Sequence, residues 1–415
     1  MHHIRVTVIG AGLAGLSAAS YLRRNNVEVT IIDKNPRIGG MLSTESIKGF
    51  FLDRGFHPVL DNFPELNRII NVRSLHLREF AKGFSFIDSE FSHDDFSIPQ
   101  RGDSFSQYLK ILKMLPFDKT TGLARRTTKT LLGSARDGLN ANFTTTKELL
   151  EQLVVRESKL HGFFRALNSA LLLDPECATP PAESIATASL FVRGQLCIPD
   201  TGIAELPSQI ASSIPLENFR LDSEVVSVSD SHITLATRET IEHDYTIVTV
   251  APLDLPALNF PFPEIRYLGY STHYFATESA ITTGAMIQVP IFDHSKIIST
   301  VVLDEVSALY APRGVHLISV TTKSEHDAKA VLGEAASIFG IQQKDLDHIN
   351  SYQLNYGVPS FTSRTMRAET YNGQRISNKI LLAGDYLLGS SLDLAIKSGR
   401  LAAQNILMDA FNRAD

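Results

Sequence analysis

An α/β fold, with a dinucleotide-binding domain split along the chain and an inserted α+β domain built on an antiparallel sheet, is what these 415 residues predict. Three observations predict it. The chain opens as strand, glycine turn, helix, strand. A second strand–turn–helix unit stands at residues 379–408. Between them lie two long stretches without nucleotide-type motifs, one helical by pattern and one alternating like strands.

The opening unit reads IRVTVIG and then AGLAGLSAASYLRR. Gly10, Gly12 and Gly15 stand in the spacing G-x-G-x-x-G. Gly10 permits a tight turn out of the strand. Gly12 lets the backbone approach a pyrophosphate, and Gly15 lets the helix pack close to the sheet. The helix N-terminus, from Leu13 and Ala14 onward, offers free N–H groups and a positive dipole end to phosphate. Asp33 ends the next apolar run, VEVTIID, and can accept hydrogen bonds from an adenosine ribose.

A second glycine loop follows the acid: Arg37, Gly39 and Gly40 form R-x-G-G. A nicotinamide dehydrogenase has no need of this loop. A flavoprotein does, because its longer cofactor passes there. With Asp33, Arg37, Gly39, Gly40, Gly49, Phe50, Asp53 and Gly55 in register, the chain resembles the FAD-dependent amine oxidase and phytoene desaturase superfamily, which also includes protoporphyrinogen oxidases. The resemblance implies a Rossmann-like FAD-binding domain and non-covalent FAD, since neither cysteine lies in a flavin-attachment motif. It implies cofactor contacts at Gly10, Gly12, Leu13, Ala14, Gly15, Asp33, Lys34, Arg37, Gly39, Gly40, Met41 and Leu42.

Residues 379–408, KILLAGDYLLGSSLDLAIKSGRLAAQNILM, resemble the same family's closing element. Gly384 and Asp385 match its FAD-contacting pair, and Ser391 and Leu392 open its last helix. Ser390 and Asp393 have capping-box spacing, which starts a helix at about Ser391. The segment CIPDTGIAELPSQIA and the strand near residues 224–228 resemble a third family stretch, in which the backbone of Val225 or Val226 contacts adenine. The family matches divide the chain. Residues 1–65, 193–255 and 351–415 are assigned to the FAD-binding domain. Residues 66–192, mostly helical by pattern, and 256–350, four strands and a helix, form the substrate domain. GFHPVLDNFPELNRIINVRSLHLREFAKG and HGFFRALNSALLLDP look like the phytoene-dehydrogenase-like branch.

Apolar residues make up 43% of the chain, enough for two cores. Net charge is −6 with no basic block, which argues against nucleic acid. Two cysteines, Cys177 and Cys197, suit a reducing compartment. No leader or apolar run of spanning length is visible, so the expected location is cytoplasmic. FSQYLKILKMLPF at 105–117 reads either as a core helix or as a helix dipping into a membrane surface. His2 and His3 read as solvent-facing, and no cluster has metal spacing, so no metal is expected.

The implied chemistry is hydride transfer from a substrate carbon to flavin N5. His57, after the Asp53-Arg54-Gly55 run, is the one catalytic candidate; it reads equally as a proton shuttle or as a structural histidine. Amine oxidases of the family usually have Arg where Met41 stands and often an aromatic where Ser391 stands. Those departures favour desaturation or oxidation of an apolar, isoprenoid-like small molecule. A flavin amine oxidase and a non-catalytic flavin binder are the alternatives. Leu394 stands where the family prefers Gly, which is expected to shift the last helix or crowd the flavin.

Overall fold

The computed structural model describes residues 4–98, 144–153, 159–260, 266–360 and 375–412. The segment 105–117 and His2 and His3 lie outside these. Strand Arg5–Ile9 is the centre of a five-stranded parallel sheet. Its order is Phe219–Arg220, Glu28–Ile32, Arg5–Ile9, Tyr245–Val248 and Ile380–Leu382. The central strands are buried on both faces and accordingly read as β-branched runs. Helix Leu13–Arg24 covers one face of the sheet, with Leu16, Ala18, Ala19 and Leu22 fully buried. Helix Leu392–Asn412 lies against it. Ser17 Oγ donates to the Ile396 carbonyl at 2.8 Å, and a Cβ on Gly399 would overlap the Ala14 carbonyl oxygen. First and last motifs are thus packed into one another.

A three-stranded antiparallel sheet, Val225–Val228, His232–Leu235 and Thr240–Glu242, sits beside the parallel one. A larger sheet has seven strands. It runs Asp347–Ser360, Arg266–Thr277, His316–Lys323, Ile297–Val302, Ile287–Pro290, Gly83–Ile87 and His93–Ser97. It is antiparallel except where Ile287–Pro290 pairs in parallel with Gly83–Ile87, Val289 opposite Phe86. The two strands Gly83–Ile87 and His93–Ser97 fall in the stretch predicted to be mostly helical. Their apolar residues pack rather than alternate: Phe84 stacks on Phe191 at 5.1 Å and Phe86 on Phe96 at 5.8 Å. These rings fasten helices Lys159–Leu172 and Pro181–Arg193 to the sheet, with Phe163 tilted between them. A buried Ser184 Oγ donates to Asn168 Oδ1 at 2.7 Å and joins the two helices. Helix Ala328–Ile338, capped by Asp327 Oδ1 accepting from Ala330 N at 2.8 Å, buries Val331 and Ala335 in a separate apolar cluster with Ile297 and Val320.

The family-type run at 49–55 is held by one buried carboxylate. Asp53 accepts from Thr44 Oγ1 at 2.6 Å, from Ile203 N at 2.9 Å and from Tyr310 Oη at 2.9 Å. Burial nevertheless outweighs these bonds and pushes the Asp53 carboxyl up to about 6. A folded-state value raised from 3.8 means that this group's contribution to stability is complete below pH 3.8 and is lost as pH rises through about 6. The span corresponds to about 3 kcal/mol. Wild type is therefore expected to lose stability, relative to Asp53→Asn, between pH 4.5 and pH 7. Denaturant titrations of both proteins at the two pH values check this, and an equal response refutes it.

Candidate active site

One cavity of about 710 Å³ runs across the parallel sheet's strand ends toward the seven-stranded sheet. Ligands in open α/β sheets bind at such strand ends. The first motif forms one end. Gly10, at φ +107°, turns the chain out of the strand, and its N–H donates to the Ile32 carbonyl at 2.7 Å. The helix begins at Leu13, so the first-turn N–H groups have no preceding carbonyl to bond. Gly12, Leu13 and Ala14 line the cavity there. A Cβ built on Gly12 meets nothing within 4 Å.

Asp33 and Lys34 line the same end. Asp33 Oδ2 accepts from Ala11 N at 2.7 Å, and Oδ1 from Asn35 N at 2.8 Å. The carboxylate fixes both neighbouring turns as well as facing the cavity. Lys34 Nζ reaches Asp254 Oδ2 at 3.1 Å.

The second glycine loop docks on the first. Gly39 N donates to the Ala11 carbonyl at 2.8 Å, and a Cβ on Gly40 would come 3.3 Å from Gly12 Cα. Gly39, Gly40, Met41 and Leu42 all line the cavity. Val225 does as well, through the end of its strand, together with Ser223 and Glu224. Three residues given cofactor contacts lie off the lining. Gly15 sits behind the turn, against Gly10. Arg37 is half-buried outside the cavity, and Val226 is 42% exposed, on the strand's other face.

The closing motif supplies the cavity's middle. Gly384, Asp385, Ser391 and Leu392 line it. Gly384 N donates to the buried Ser398 Oγ at 3.0 Å, which fixes the turn on the last helix. The helix cap differs from the expected box. Ser391 caps the helix, its Oγ accepting from Leu394 N at 3.1 Å. Asp393 instead accepts from Glu65 N at 2.8 Å and Leu66 N at 2.9 Å, the free amides that open the short helix Leu66–Ile69. Leu394 lines the cavity, and its side chain also covers Gly389, 2.7 Å from where a Cβ there would stand. Burial pushes the Asp385 carboxyl up to about 6.

His57 also lines the cavity. Its Nε2 lies 3.0 Å from Tyr270 Oη. Burial pushes the imidazole down to about 4, against a backbone hydrogen bond at Arg54, so the ring is neutral at pH 7. The far walls are apolar. Leu171, Leu172 and Leu173 come from one helix end, Ala186 and Leu190 from the next, and Phe63 from the loop before them. Tyr267 and Tyr356, from neighbouring strands of the large sheet, complete that end. No motif spacing marks these two tyrosines or Glu183, another lining residue. Only the inward phase of the strands could have pointed to them.

Ser85, His93 and Asp95 lie together on the edge hairpin, but not as a nucleophile–base–acid set. Ser85 Oγ gives its proton to Asp95 at 2.6 Å, and His93 Nε2 faces the Ile338 carbonyl at 2.9 Å.

The residues present fit a bound dinucleotide of flavin length. Open space over Gly12, two glycine loops in contact and a second helix N-terminus at Ser391 form a cradle that side chains would fill. Comparison with known proteins agrees. Over a 122-residue stretch the chain is 31% identical to carotenoid 3,4-desaturase of Haloarcula japonica, covering 25% of each chain. Over 91 residues it is 34% identical to L-amino-acid oxidase of Crotalus adamanteus, covering 22% of this chain and 16% of that one. The chain thus matches a quarter or less of these relatives' length. An oxidoreductase structure from Methanosarcina mazei shares the fold, with a TM-score of 0.72 at 14% identity over 97% of this chain and all of that one. The model of the flavin containing amine oxidoreductases matches residues 13–407, and the chain belongs to that family.

Proposed function

We propose that the chain is an FAD-dependent oxidoreductase in which an apolar, isoprenoid-like substrate gives a hydride from carbon to N5 of non-covalently held FAD. The chain's own residues do the holding and the aligning. Amides of Gly12, Leu13 and Ala14 hold the pyrophosphate, Asp33 the ribose, and the Val225 backbone the adenine. Residues 39–42 and the N-terminus at Ser391 and Leu392 bracket the ring, whose reduced, anionic form a helix dipole favours. His57, neutral and hydrogen-bonded, positions substrate or takes up a proton. In this reading residues 1–65, 193–255 and 351–415 carry the cofactor, and the two inserts the substrate.

The observation that carries the substrate class is the apolar wall of Phe63, Leu171, Leu172, Leu173 and Leu190, which faces the cavity with Glu183 on the same helix as Leu190. Such a wall binds by area, at about 25 cal/mol per Å². Non-covalent attachment is supported by the cysteines. Neither lines the cavity, and burial pushes both thiols up to about 12. An amine substrate is the second reading. It is favoured by Tyr267 and Tyr356, whose rings meet edge-on at 6.0 Å and 85° and could face a cation.

Acid precipitation is expected to release free FAD. Anaerobic mixing with polyprenoids and with primary amines, followed at the flavin absorbance, tests the substrate. Bleaching by polyprenoids supports the first reading. Rapid bleaching by an amine alone reverses the order.

A further inference from the structure

Tyr267 stands at the start of strand Arg266–Thr277, opposite Pro359, and lines the cavity together with Asp385 and Tyr356. Its hydroxyl is shielded from solvent and has no hydrogen-bond partner among the described residues. A hydroxyl left so is costly, and buried polar groups are as a rule paired. Burial and the nearby Asp385 carboxyl hold the phenol well above its usual value, so it stays protonated and can donate. Asp385 Oδ1 is occupied by Tyr386 N at 2.9 Å. The edge-on Tyr356 ring fixes the orientation of the Tyr267 ring. No described residue pairs with this hydroxyl, and the space beside Tyr267 is the cavity.

We propose that Tyr267 is the specificity-determining donor of this site: its hydroxyl hydrogen-bonds an oxygen of the substrate, and the preferred substrate is an apolar chain bearing one such oxygen rather than a pure hydrocarbon. This rests on the apolar-substrate reading above. Phe63 and the leucine wall bind the chain by area and do not distinguish the two. Tyr267 does.

The test is calorimetric titration of the flavin-loaded protein with farnesal, which carries a carbonyl oxygen, and with farnesene, which does not. Wild type is expected to bind farnesal about fivefold to tenfold more tightly, the worth of one neutral hydrogen bond. In Tyr267→Phe, which keeps the ring and its packing, the ratio is expected to fall to about one, with farnesene affinity and flavin content unchanged. A wild-type ratio near one overturns the proposal without any variant. So does an unchanged ratio in Tyr267→Phe. Flavin loss from a folded Tyr267→Phe protein also overturns it, because the hydroxyl then serves the cofactor. If neither probe binds wild type and geranylamine does, the apolar-substrate reading itself has failed.

Discussion

Gly12→Val is expected to give a folded, colourless protein. A Cβ at Gly12 meets nothing within 4 Å, and the residue's φ of −76° suits any L-amino acid. The chain therefore has no reason of its own to keep glycine there. The space belongs to a ligand that must approach the backbone closely. A valine fills it and holds the pyrophosphate away from the first-turn amides. Losing two amide–phosphate bonds at about 1.5–3 kcal/mol each weakens flavin binding more than about a hundredfold. The purified variant should lack flavin absorbance, while its melting temperature matches that of wild type stripped of flavin. Full flavin content would show that the cofactor lies elsewhere.

Gly15→Ala, three residues on, should do the opposite damage. A Cβ at Gly15 would overlap the Gly10 carbonyl oxygen and come 2.8 Å from Thr249 Oγ1, which itself donates to the Ile9 and Gly10 carbonyls. Both contacts are to a tightly held turn. The helix must lift off the sheet to make room, and overpacking of this kind costs about 3 kcal/mol. Against a total of about 5–15 kcal/mol that is a large share. The loss should appear in the flavin-free protein, as a melting temperature lower by about 3–4 °C. An unchanged melt would mean that the helix and strand are not packed through this residue. Side chains placed at two glycines of one motif thus separate binding from folding.

The opening and closing motifs could be read from the sequence because their backbone demands select residue types. Gly10 needs its positive φ and Gly15 its missing Cβ against the Gly10 carbonyl, whereas the open space over Gly12 is room for the proposed ligand. The strands of the second insert were readable for a related reason, since β-branched alternation is local. The partners of those strands were not. Nothing in GFSFI foretells that Gly83–Ile87 will lie parallel to Ile287–Pro290, because Phe84 packs on Phe191 of a distant helix while Phe86 stacks on Phe96 of the neighbouring strand. The cap shows the same limit at short range. Ser390 and Asp393 have the right spacing, but the Glu65 and Leu66 amides capture Asp393, and Ser391 caps instead. The cavity's far end was least readable of all. Tyr267 and Tyr356 meet only through the pairing of their strands, and neither has a neighbour in sequence that marks it.

The packing of the first helix on the last sets an order of events during synthesis. Ser17 bonds a carbonyl 379 residues away, and the glycine at 399 is pressed onto the backbone of Ala14. The glycine turn proposed to hold phosphate is translated well before the helix that braces it, the two being linked across 379 residues by Ser17 and Ile396. Until then the nascent turn has an uncovered apolar face and only half of a cofactor site. On the proposed reading, flavin capture waits for translation of the helix Leu392–Asn412, and a chain interrupted before residue 392 is expected to purify without cofactor.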